Sequence, residues 1–500
     1  MKNCPFAIDR SIKKTLVCLA LFYAINTQCV AKSWRVGPNE LYKFCSAVAP
    51  LVGDGDTINI VAADYINDAQ VQWTKNNLLI RGEGGRPRLF AGSLIANDAV
   101  NGKGIFVVKG NYCVVENIEF RNAKCLSHNG AGIRQEGSNV TIRRCRFEAN
   151  EMGILGGGLT TLPNSTYIVE HCEFYNGGSV ENPGYQHNIY INHIDSFIFR
   201  YNWTYDAIAE GHELKSRANH TYILYNRIAN ISSVDSRNID IPNGGTAIVM
   251  GNIIEQGQNS INSNMVAYGM EGCSNPGPHN LFVCYNTFVN KKDKGSFIQV
   301  PATGCDTLWV KNNILAGAKT GGLILGTPGL LDSSHNYITD FLSDLRFVNT
   351  TGFDYRLTPT SPVINKGLVL VKKVKGRALQ PAYEYRDTCN YSVRIQQGNP
   401  DIGAFEYINN TSYGPGCPTT ENIRYSLRDK TLVVHSLKNK DIRFASVYCA
   451  QGKLVFSEFS PVGEHDNSYT LNLQHCKQGI YTLVLFHNSG AINIIRVLVN

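Results

Sequence analysis

Ionisable and hydrogen-bonding side chains are concentrated between Tyr185 and Ala218, in a chain otherwise rich in Asn, Gly and Ile. His, Tyr, Glu, Lys and Arg all occur there, which is a composition suited to acid, base and anion-binding chemistry. Short apolar runs within and just after this stretch predict three strands, at Asn188–Ile191, His212–Ser216 and Arg237–Ile241.

The register of these strands determines which side chains share a face. Side chains alternate across a strand, so Ile189, Leu214 and Ile239 can align on the inner face. The outer face then carries Tyr190, Lys215 and Asp240, flanked by Asn188, Glu213 and Asn238 on one side and by Asn192, Arg217 and Pro242 on the other. The sequence therefore predicts a polar patch of mixed charge on a rigid sheet.

The patch contains candidates for β-elimination on a uronic-acid polysaccharide. That reaction needs a partner for the C6 carboxylate, a base for the C5 proton and an acid for the departing O4. Arg217, with Arg237 beside it, can bind the carboxylate. The predicted bases are Lys215, if its pKa is lowered, or His212, and the predicted acids are Tyr190 or His187.

Further polar and charged residues of the patch are predicted to bind substrate. Asn188, Glu213, Asp240 and Arg237 belong to this group, together with Glu271, which follows Tyr268-Gly269. Asp240 and Glu213 can instead hold a calcium ion or orient Lys215. No cofactor is required by the pattern, and calcium is the one metal it allows.

Other interpretations of the patch stay open at this stage. Glu213 and Asp240 can be the acid and base of a hydrolase. The charged residues can form a structural salt-bridge ladder, and His187 and His212 can bond turn carbonyls. A polysaccharide-binding surface or adhesin without catalysis is a third possibility.

Length and charge limit the class of protein. The 500 residues carry 47 basic and 40 acidic side chains, a net charge of +7 without runs of Lys or Arg. This mild excess permits a polyanionic partner and gives no indication of a nucleic-acid surface. We expect a monomer.

The N-terminus has the pattern of an export signal. Lys2, Arg10, Lys13 and Lys14 precede an apolar run from Thr15 to Ile25, and Ala31 ends a small-residue cleavage site. Residues 1–31 are therefore predicted to be a signal peptide, and no later run is long enough for a membrane span. Cleavage would leave 12 of the 15 cysteines, with Cys113/Cys125, Cys273/Cys305 and Cys389/Cys417 as candidate disulfides.

A repeated unit occupies most of the chain. In each unit, an apolar residue is followed three residues later by a position that usually holds a small residue or Asn. The unit recurs at intervals of 24 to 34 residues. That small position is occupied by Ile118, Cys145, Cys172, Asn202, Asn226, Asn252, Asn286 and Asn313. Stacked coils would place these residues in one ladder, so the five Asn are predicted to be structural and the two Cys to be stacked thiols.

A short helix from Glu40 to Ala49 is predicted to cap the solenoid, with Thr57–Val61 as its first strand.

This repeat resembles the right-handed parallel β-helix superfamily of pectate-lyase-like polysaccharide lyases and glycosidases. The resemblance covers about Thr57 to Tyr407. It implies an all-β fold for residues 32–408 and a polysaccharide partner, with lyase chemistry favoured over hydrolysis. The segments HNIYI from His187 and GHELKSRA from Gly211 are similar to secreted bacterial β-helix proteins, whereas the catalytic motifs of polygalacturonases and pectate lyases are absent from this sequence. The segments from Asp354 and from Asp401 to Glu406 are predicted to cap the C-terminal end of the solenoid.

A different pattern begins after a Gly- and Pro-rich linker at residues 409–420. Residues 421–500 contain short strands at the spacing of a small β-sandwich. Within them, Gln451-Gly452-Lys453 and Gln478-Gly479-Ile480-Tyr481 resemble type IX secretion sorting domains of Bacteroidota. This resemblance implies export across both membranes by the type IX secretion machinery, with the protein secreted or held at the cell surface.

Overall fold

The N-terminal part of the chain is a right-handed parallel β-solenoid. The computed structural model describes residues 31–91, 103–157, 164–319, 321–408, 423–428, 430–436, 442–449, 454–458, 468–474, 476–487 and 492–499. Nearly all of the predicted signal peptide and the whole predicted linker lie outside these residues. The chain divides into two compact units, residues 1–408 and 409–500.

Three parallel sheets, here named sheets 1, 2 and 3 in the order in which each coil visits them, form the solenoid. Sheet 1 has 12 strands: Ser33–Val36, Thr57–Val61, Leu79–Glu83, Val114–Glu116, Thr141–Arg143, Thr166–Glu170, Ser196–Arg200, His220–Leu224, Thr246–Met250, Asn280–Cys284, Thr307–Lys311 and Leu330–Ser334. Sheet 2 has 11 strands: Asp64–Ile66, Arg88–Phe90, Glu119–Arg121, Arg146–Glu148, Glu173–Tyr175, Trp203–Tyr205, Arg227–Ala229, Ile253–Gln256, Thr287–Asn290, Ile314–Gly317 and Tyr337–Thr339. Sheet 3 has 10 strands: Val71–Trp73, Gly104–Val108, Ala131–Gln135, Met152–Gly156, Ile189–Ile191, Leu214–Ser216, Ile239–Ile241, Asn264–Tyr268, Ser296–Gln299 and Ile324–Leu325.

The core of the solenoid is a column of equivalent side chains from successive coils. Phe120, Phe147 and Phe174 stack with ring centroids 5.3 and 4.6 Å apart. All three are buried. Because strands in a sheet are about 4.8 Å apart, equivalent rings meet face to face and bury one another. The repeat seen in the sequence is therefore the unit that builds this core.

The predicted asparagine ladder is confirmed at the bend between sheets 1 and 2. Asn252 Nδ2 donates to the Ile223 carbonyl at 2.8 Å and to Asn286 Oδ1 at 2.9 Å. Its own Oδ1 accepts the backbone N–H of Asn226 at 2.9 Å. Asn336 extends the ladder by one coil beyond the five predicted members. Each amide satisfies backbone groups that the bend leaves unpaired.

The cysteines form no disulfide among the described residues. Cys145 and Cys172 continue the ladder as predicted, since the Cys145 backbone N–H donates to Cys172 Sγ at 3.4 Å and both are free thiols. The candidate disulfide partners Cys113, Cys125, Cys273 and Cys305 are also free, so those two pairings are wrong. Cys389 is free, and Cys417 lies outside the described residues.

The N-terminal end differs from the prediction in two details. The helix is a single turn, Cys45–Val48, with Cys45 and Val48 buried. Thr57–Val61 is preceded by a strand at Ser33–Val36, which pairs with it in parallel. The predicted helix was too long because residues 40–44 include a β-bridge between Val36 and Tyr42. No helix in the described residues has the length and apolar character to cross a membrane.

The segment predicted to cap the C-terminal end instead packs along the side of the coils. After a 3-10 helix at Leu342–Leu345, it forms three two-stranded antiparallel sheets. Their strands are Phe347–Asn349 with Asp354–Leu357, Lys373–Val374 with Arg377–Ala378, and Tyr383–Arg386 with Asn390–Val393. Phe347, Tyr355 and Phe405 pack against Ile253 and Val289 on the outer face of sheet 2. Apolar residues on the outer face of sheet 2 explain this placement, because the segment buries them from water.

The C-terminal unit has two antiparallel sheets with a core of their own. One contains Ile423–Arg428, Thr431–Ser436 and Ser468–Asn472, and the other contains Leu454–Glu458, Ile442–Cys449, Gly479–His487 and Ile492–Val499. Leu432 and Leu471 of the first sheet cluster with Val447, Leu483 and Val497 of the second.

Candidate functional site

Three neighbouring strands of sheet 3 bring the central residues of the predicted patch into one row. Tyr190 pairs with Lys215, and Lys215 pairs with Asp240. This confirms the predicted register. The row is more buried than a solvated salt-bridge ladder, since the side chain of Lys215 is 11% exposed and that of Asp240 is 3% exposed.

Lys215 and Arg217 converge on a single carboxylate, that of Glu271. Lys215 Nζ lies 2.7 Å from Glu271 Oε1, and Arg217 NH2 lies 2.5 Å from Glu271 Oε2. Burial tends to raise the pKa of Glu271, but the hydrogen bonds from Lys215 and Arg217 outweigh it and lower this pKa below its ordinary value. Two cations two residues apart, one on the strand Leu214–Ser216 and one just after it, therefore form a site for one carboxylate.

The guanidinium of Arg217 is held in place by two further acceptors. Its Nε donates to the Tyr190 hydroxyl oxygen at 3.0 Å, and its NH1 donates to Asn243 Oδ1 at 2.6 Å. Burial tends to lower the pKa of Arg217, but the bond to Glu271 and the Tyr190 hydroxyl raise it above its ordinary value. Arg217 therefore has a fixed orientation, with NH2 directed at the carboxylate position.

Asp240 lies behind this pair and contacts three nitrogen-bearing side chains. Its Oδ2 is 3.3 Å from Lys215 Nζ and 3.5 Å from His212 Nε2, and its Oδ1 is 3.8 Å from Arg237 NH1. Burial raises the pKa of Asp240, against the opposing charges of Lys215 and Arg237. Asp240 is thus a buried carboxylate beside the amine of Lys215, and burial favours its protonated form more than that of an exposed aspartate.

His187 and His212 stack on successive coils, with ring centroids 4.7 Å apart. His187 Nδ1 accepts the backbone N–H of His212 at 3.0 Å, and His212 Nδ1 accepts the backbone N–H of Arg237 at 3.2 Å. Burial, followed by the nearby charges, lowers the pKa of both rings well below its ordinary value. Both imidazoles are therefore neutral with the proton on Nε2, which suits positioning and leaves neither nitrogen free to act as a base.

The outward placement predicted for Asn188 and Glu213 is wrong. Asn188 is 1% exposed and Glu213 is 0% exposed. Glu213 Oε2 accepts from Asn188 Nδ2 at 2.7 Å and from the Thr204 hydroxyl at 2.9 Å, while Oε1 accepts the Ala207 N–H at 2.8 Å. Burial, and then the charge of Asp235, raises the pKa of Glu213 well above its ordinary value. Both side chains tie the turn to sheet 2 and cannot touch a ligand on the outer face.

A bend in the chain explains this error. The strands begin at Ile189, Leu214 and Ile239, one or two residues later than predicted. Alternation therefore fails just before each strand. Strict alternation places residues 188, 213 and 238 on the outer face, but residues 187, 212 and 237 lie there instead.

The carboxylates considered for calcium do not fit that ion. Glu213 is committed to the buried turn, and Asp240 is surrounded by Lys215, Arg237 and the His212 ring. A cation would be repelled by Lys215 and Arg237, and calcium prefers six to eight oxygen ligands. Over the described residues, no group of three or more His, Cys, Asp or Glu side chains is arranged to hold a metal.

Three side chains that sequence reasoning missed complete the outer face. Asn243 supports Arg217, whereas Arg237 Nε donates to Asn264 Oδ1 at 2.5 Å and Arg237 NH2 donates to Gln299 Oε1 at 3.4 Å. Extending the register by two more coils would have found Asn264 and Gln299. Asp240 pairs with Ala267, which pairs with Gln299, and Asn264 precedes Ala267 by three residues as Arg237 precedes Asp240.

The fold is similar to the crystal structure of pectate lyase Pel9A, with a TM-score of 0.52. The match covers 75% of this chain and 96% of that chain at 16% sequence identity, so it shows the fold alone. The pectin methylesterase from Aspergillus niger matches at a TM-score of 0.27 and 10% identity, over 61% of this chain and 83% of that chain. No family model and no curated protein matches the sequence.

Proposed function

We propose that the outer face of sheet 3 binds an acidic, uronic-acid-containing polysaccharide and cleaves it by β-elimination. The observation that carries this proposal is the convergence of Lys215 and Arg217 on the carboxylate of Glu271. Glu271 has a side chain that is 44% exposed. A sugar carboxylate can therefore replace it between the two cations, and the position of the Glu271 carboxylate supports this as the place where the sugar carboxylate binds.

Arg217 supports the first step of the reaction. Its guanidinium pairs with the C6 carboxylate and offsets the negative charge that develops when the C5 proton leaves. Tyr190 and Asn243 hold this guanidinium before substrate arrives, so little reorganisation is needed during the reaction.

Lys215 is the base in this proposal, and Asp240 prepares it. The ammonium passes one proton from Nζ to Asp240 Oδ2, 3.3 Å away, and the neutral amine then takes the C5 proton. The C5–H electron pair forms the C4–C5 double bond while the C4–O4 bond breaks. Burial of Asp240 favours its protonated form and so favours this transfer.

Tyr190 is the acid for the leaving oxygen. Its phenol oxygen accepts a hydrogen bond from Arg217 Nε at 3.0 Å, which leaves the phenol O–H free to donate to O4. Tyr190 is half-buried and occupies the coil next to Lys215, so acid and base can act on neighbouring atoms of one substrate unit.

Hydrolysis by Glu213 and Asp240 receives no support from the geometry, because Glu213 is buried behind the sheet. A screen of anionic polysaccharides tests the proposal, with ultraviolet absorbance reporting the new C4–C5 double bond. Absorbance that is lost in an Arg217→Ala variant would support elimination at this face. Release of reducing ends without absorbance would refute elimination, and binding without cleavage would leave this face as a polysaccharide-binding surface.

The protein is further proposed to be an exported monomer. Residues 1–31 would act as the signal peptide, and residues 421–500 would direct passage through the type IX secretion machinery. The resemblance of Gln451-Gly452-Lys453 and Gln478 to Tyr481 to sorting domains supports this route. Fractionation of a host with and without type IX secretion tests it, since retention in the periplasm should occur only in the deficient strain.

A further inference from the structure

A cavity lies between the outer face of sheet 2 and the segment that packs against it. It is on a different sheet from the proposed active site and is here called the second cavity. Its volume is about 520 Å³, within the range of about 300–1,000 Å³ for small-molecule sites. The floor is contributed by Arg227 and Ile253 of sheet 2, and the walls by residues 348–356, residues 385–387 and Phe405.

Arg227 is the feature of this cavity that the fold does not explain. Its side chain is 9% exposed, and its guanidinium lies between the rings of Trp203 at 5.0 Å and Phe353 at 5.4 Å. Among the described residues, Asp387 is the only hydrogen-bonding partner of this guanidinium, through NH1 at 3.3 Å. Asp387 is itself 62% exposed.

The guanidinium of Arg227 keeps N–H groups available to a ligand in this cavity. Removing an arginine from water is costly unless several acceptors replace the lost hydration. Arg227 has five N–H donors, and only NH1 has an acceptor in the described part of the chain. None of its nitrogens is both fully buried and without a partner, so the remaining N–H groups are open to the cavity, where an anionic ligand would supply further acceptors.

The other charges of the cavity are already paired. Arg356 forms a two-bond pair with Asp354, at 2.8 and 2.5 Å. Arg386 NH2 lies 3.0 Å from Glu384 and its Nε donates to Ser392 at 2.7 Å. Arg227 is therefore the cation best placed to bind an added carboxylate.

We infer that this cavity is a binding site for the uronic-acid unit of an acidic saccharide, with Arg227 pairing with its carboxylate. The lining has three arginines and two aspartates, a net charge of one positive, which matches a ligand with one negative charge. Asp354 and Asp387 can accept hydrogen bonds from sugar hydroxyls, whereas they would repel a dianion such as phosphate. The ring of Phe353 provides an apolar surface for a sugar face.

This site is independent of the proposed active site. Arg227 belongs to sheet 2, whereas Lys215 and Arg217 belong to sheet 3 and the turn after it. A protein that carries Arg217→Ala should therefore retain saccharide binding at the second cavity. The two proposals can fail separately.

The test uses full-length protein carrying Arg217→Ala, with the monoanion galacturonate as the probe and calorimetry and thermal shift as readouts. Val348 lines the cavity and is 50% exposed, so substitutions there leave the core intact. Val348→Asp should weaken galacturonate binding about tenfold, equivalent to ~1.4 kcal/mol, and Val348→Asn should leave it unchanged. Arg227→Met should abolish binding, and the Val348 pair keeps the test valid if that variant does not fold.

Galactose and inorganic phosphate serve as comparison probes. Weaker binding of both than of galacturonate would support a site for a sugar acid. Equal affinity of the Asp and Asn variants of Val348 would overturn the inference, as would galactose or phosphate binding as tightly as galacturonate. Absence of any galacturonate binding in the Arg217→Ala protein would overturn it as well.

Discussion

Glu271 Oε2 lies 2.5 Å from Arg217 NH2, although 54 residues separate the two in sequence. The same carboxylate also contacts Lys215 Nζ at 2.7 Å through its other oxygen. Glu271 thus occupies the position that the proposed function assigns to the substrate carboxylate. In the proposed function, a carboxylate of the polymer displaces Glu271 from the two cations.

Glu271→Gln should bind acidic polysaccharide more tightly, because it removes a competing charge and keeps the side-chain volume. We expect KM to fall by about three- to tenfold, or ~0.7–1.4 kcal/mol, with little change in kcat. Steady-state kinetics on the best substrate from the screen measure both constants. A higher KM would contradict the competitor role and assign Glu271 to substrate binding.

Arg217→Lys should lose activity although it keeps the positive charge. An ammonium cannot pair with a carboxylate while also bonding Tyr190 and Asn243 in the plane of the guanidinium. The loss of a charge-assisted bond costs ~1.5–3 kcal/mol, so kcat/KM should fall by about tenfold or more. An Arg88→Lys variant, which changes an exposed pair with Asp64 on another part of the solenoid, is the control.

Lys215→Met should lower kcat by about 100-fold or more, the usual contribution of a general base, and leave polymer binding largely intact. The stem of the side chain is retained and only the amine is lost. Lys311 is the matched control, because it is equally buried and paired with Asp332 on sheet 1. If Lys215→Met and Lys311→Met lower only Tm, and by similar amounts, the row is a structural salt-bridge ladder.

Asn252→Leu should destabilise the solenoid without a selective effect on activity. The substitution leaves the Asn226 backbone N–H and the Ile223 carbonyl without partners, at a cost of ~1–3 kcal/mol each. Chemical unfolding followed by circular dichroism measures this loss. Asn259→Leu, at an exposed position, should change stability much less; equal effects would contradict the ladder.

Asp235→Asn should change the pH dependence of stability. Burial, together with the charge of Asp206, raises the pKa of Asp235 to about 8, against the charge of Lys292. The unfolded chain releases this proton near pH 4 and the folded protein holds it to about pH 8, so rising pH favours unfolding across that window.

The gain in Tm from Asp235→Asn should accordingly grow between about pH 4 and pH 8 and stay constant above that range. Thermal unfolding at several pH values measures it. Asp293→Asn, which alters an exposed residue, should show no such trend. A gain that is independent of pH would assign the effect to packing and not to ionisation.

The repeat and its register could be derived from the sequence alone. The recurrence of Asn202, Asn226 and Asn252 at one position of successive coils identified the ladder, and alternation placed Tyr190, Lys215 and Asp240 in one row. In a parallel solenoid, residues that are one repeat apart in the sequence stack on each other in space, since each coil contacts only its neighbours.

Only the tertiary structure decided which side chains face the ligand at the ends of the strands. The bend before the strands at Ile189 and Leu214 turns Asn188 and Glu213 inward, whereas His187 and His212 contact Tyr190 and Asp240 of the outer face. Alternation is a rule for continuous strand, and it fails where the backbone leaves that conformation to turn a corner. Nothing in the local sequence marks this corner to within one residue.

The tertiary structure also decided the contacts that span many coils. The Glu271 carboxylate reaches Arg217 from a loop two coils away, and the segment around Phe353 and Asp387 returns along sheet 2 to enclose Arg227. Such contacts depend on where a loop packs, and that is determined by the apolar surface it covers rather than by the repeat. The sequence therefore determined the solenoid and the central row of the site, whereas packing between distant segments decided the occupant of the site and the second cavity.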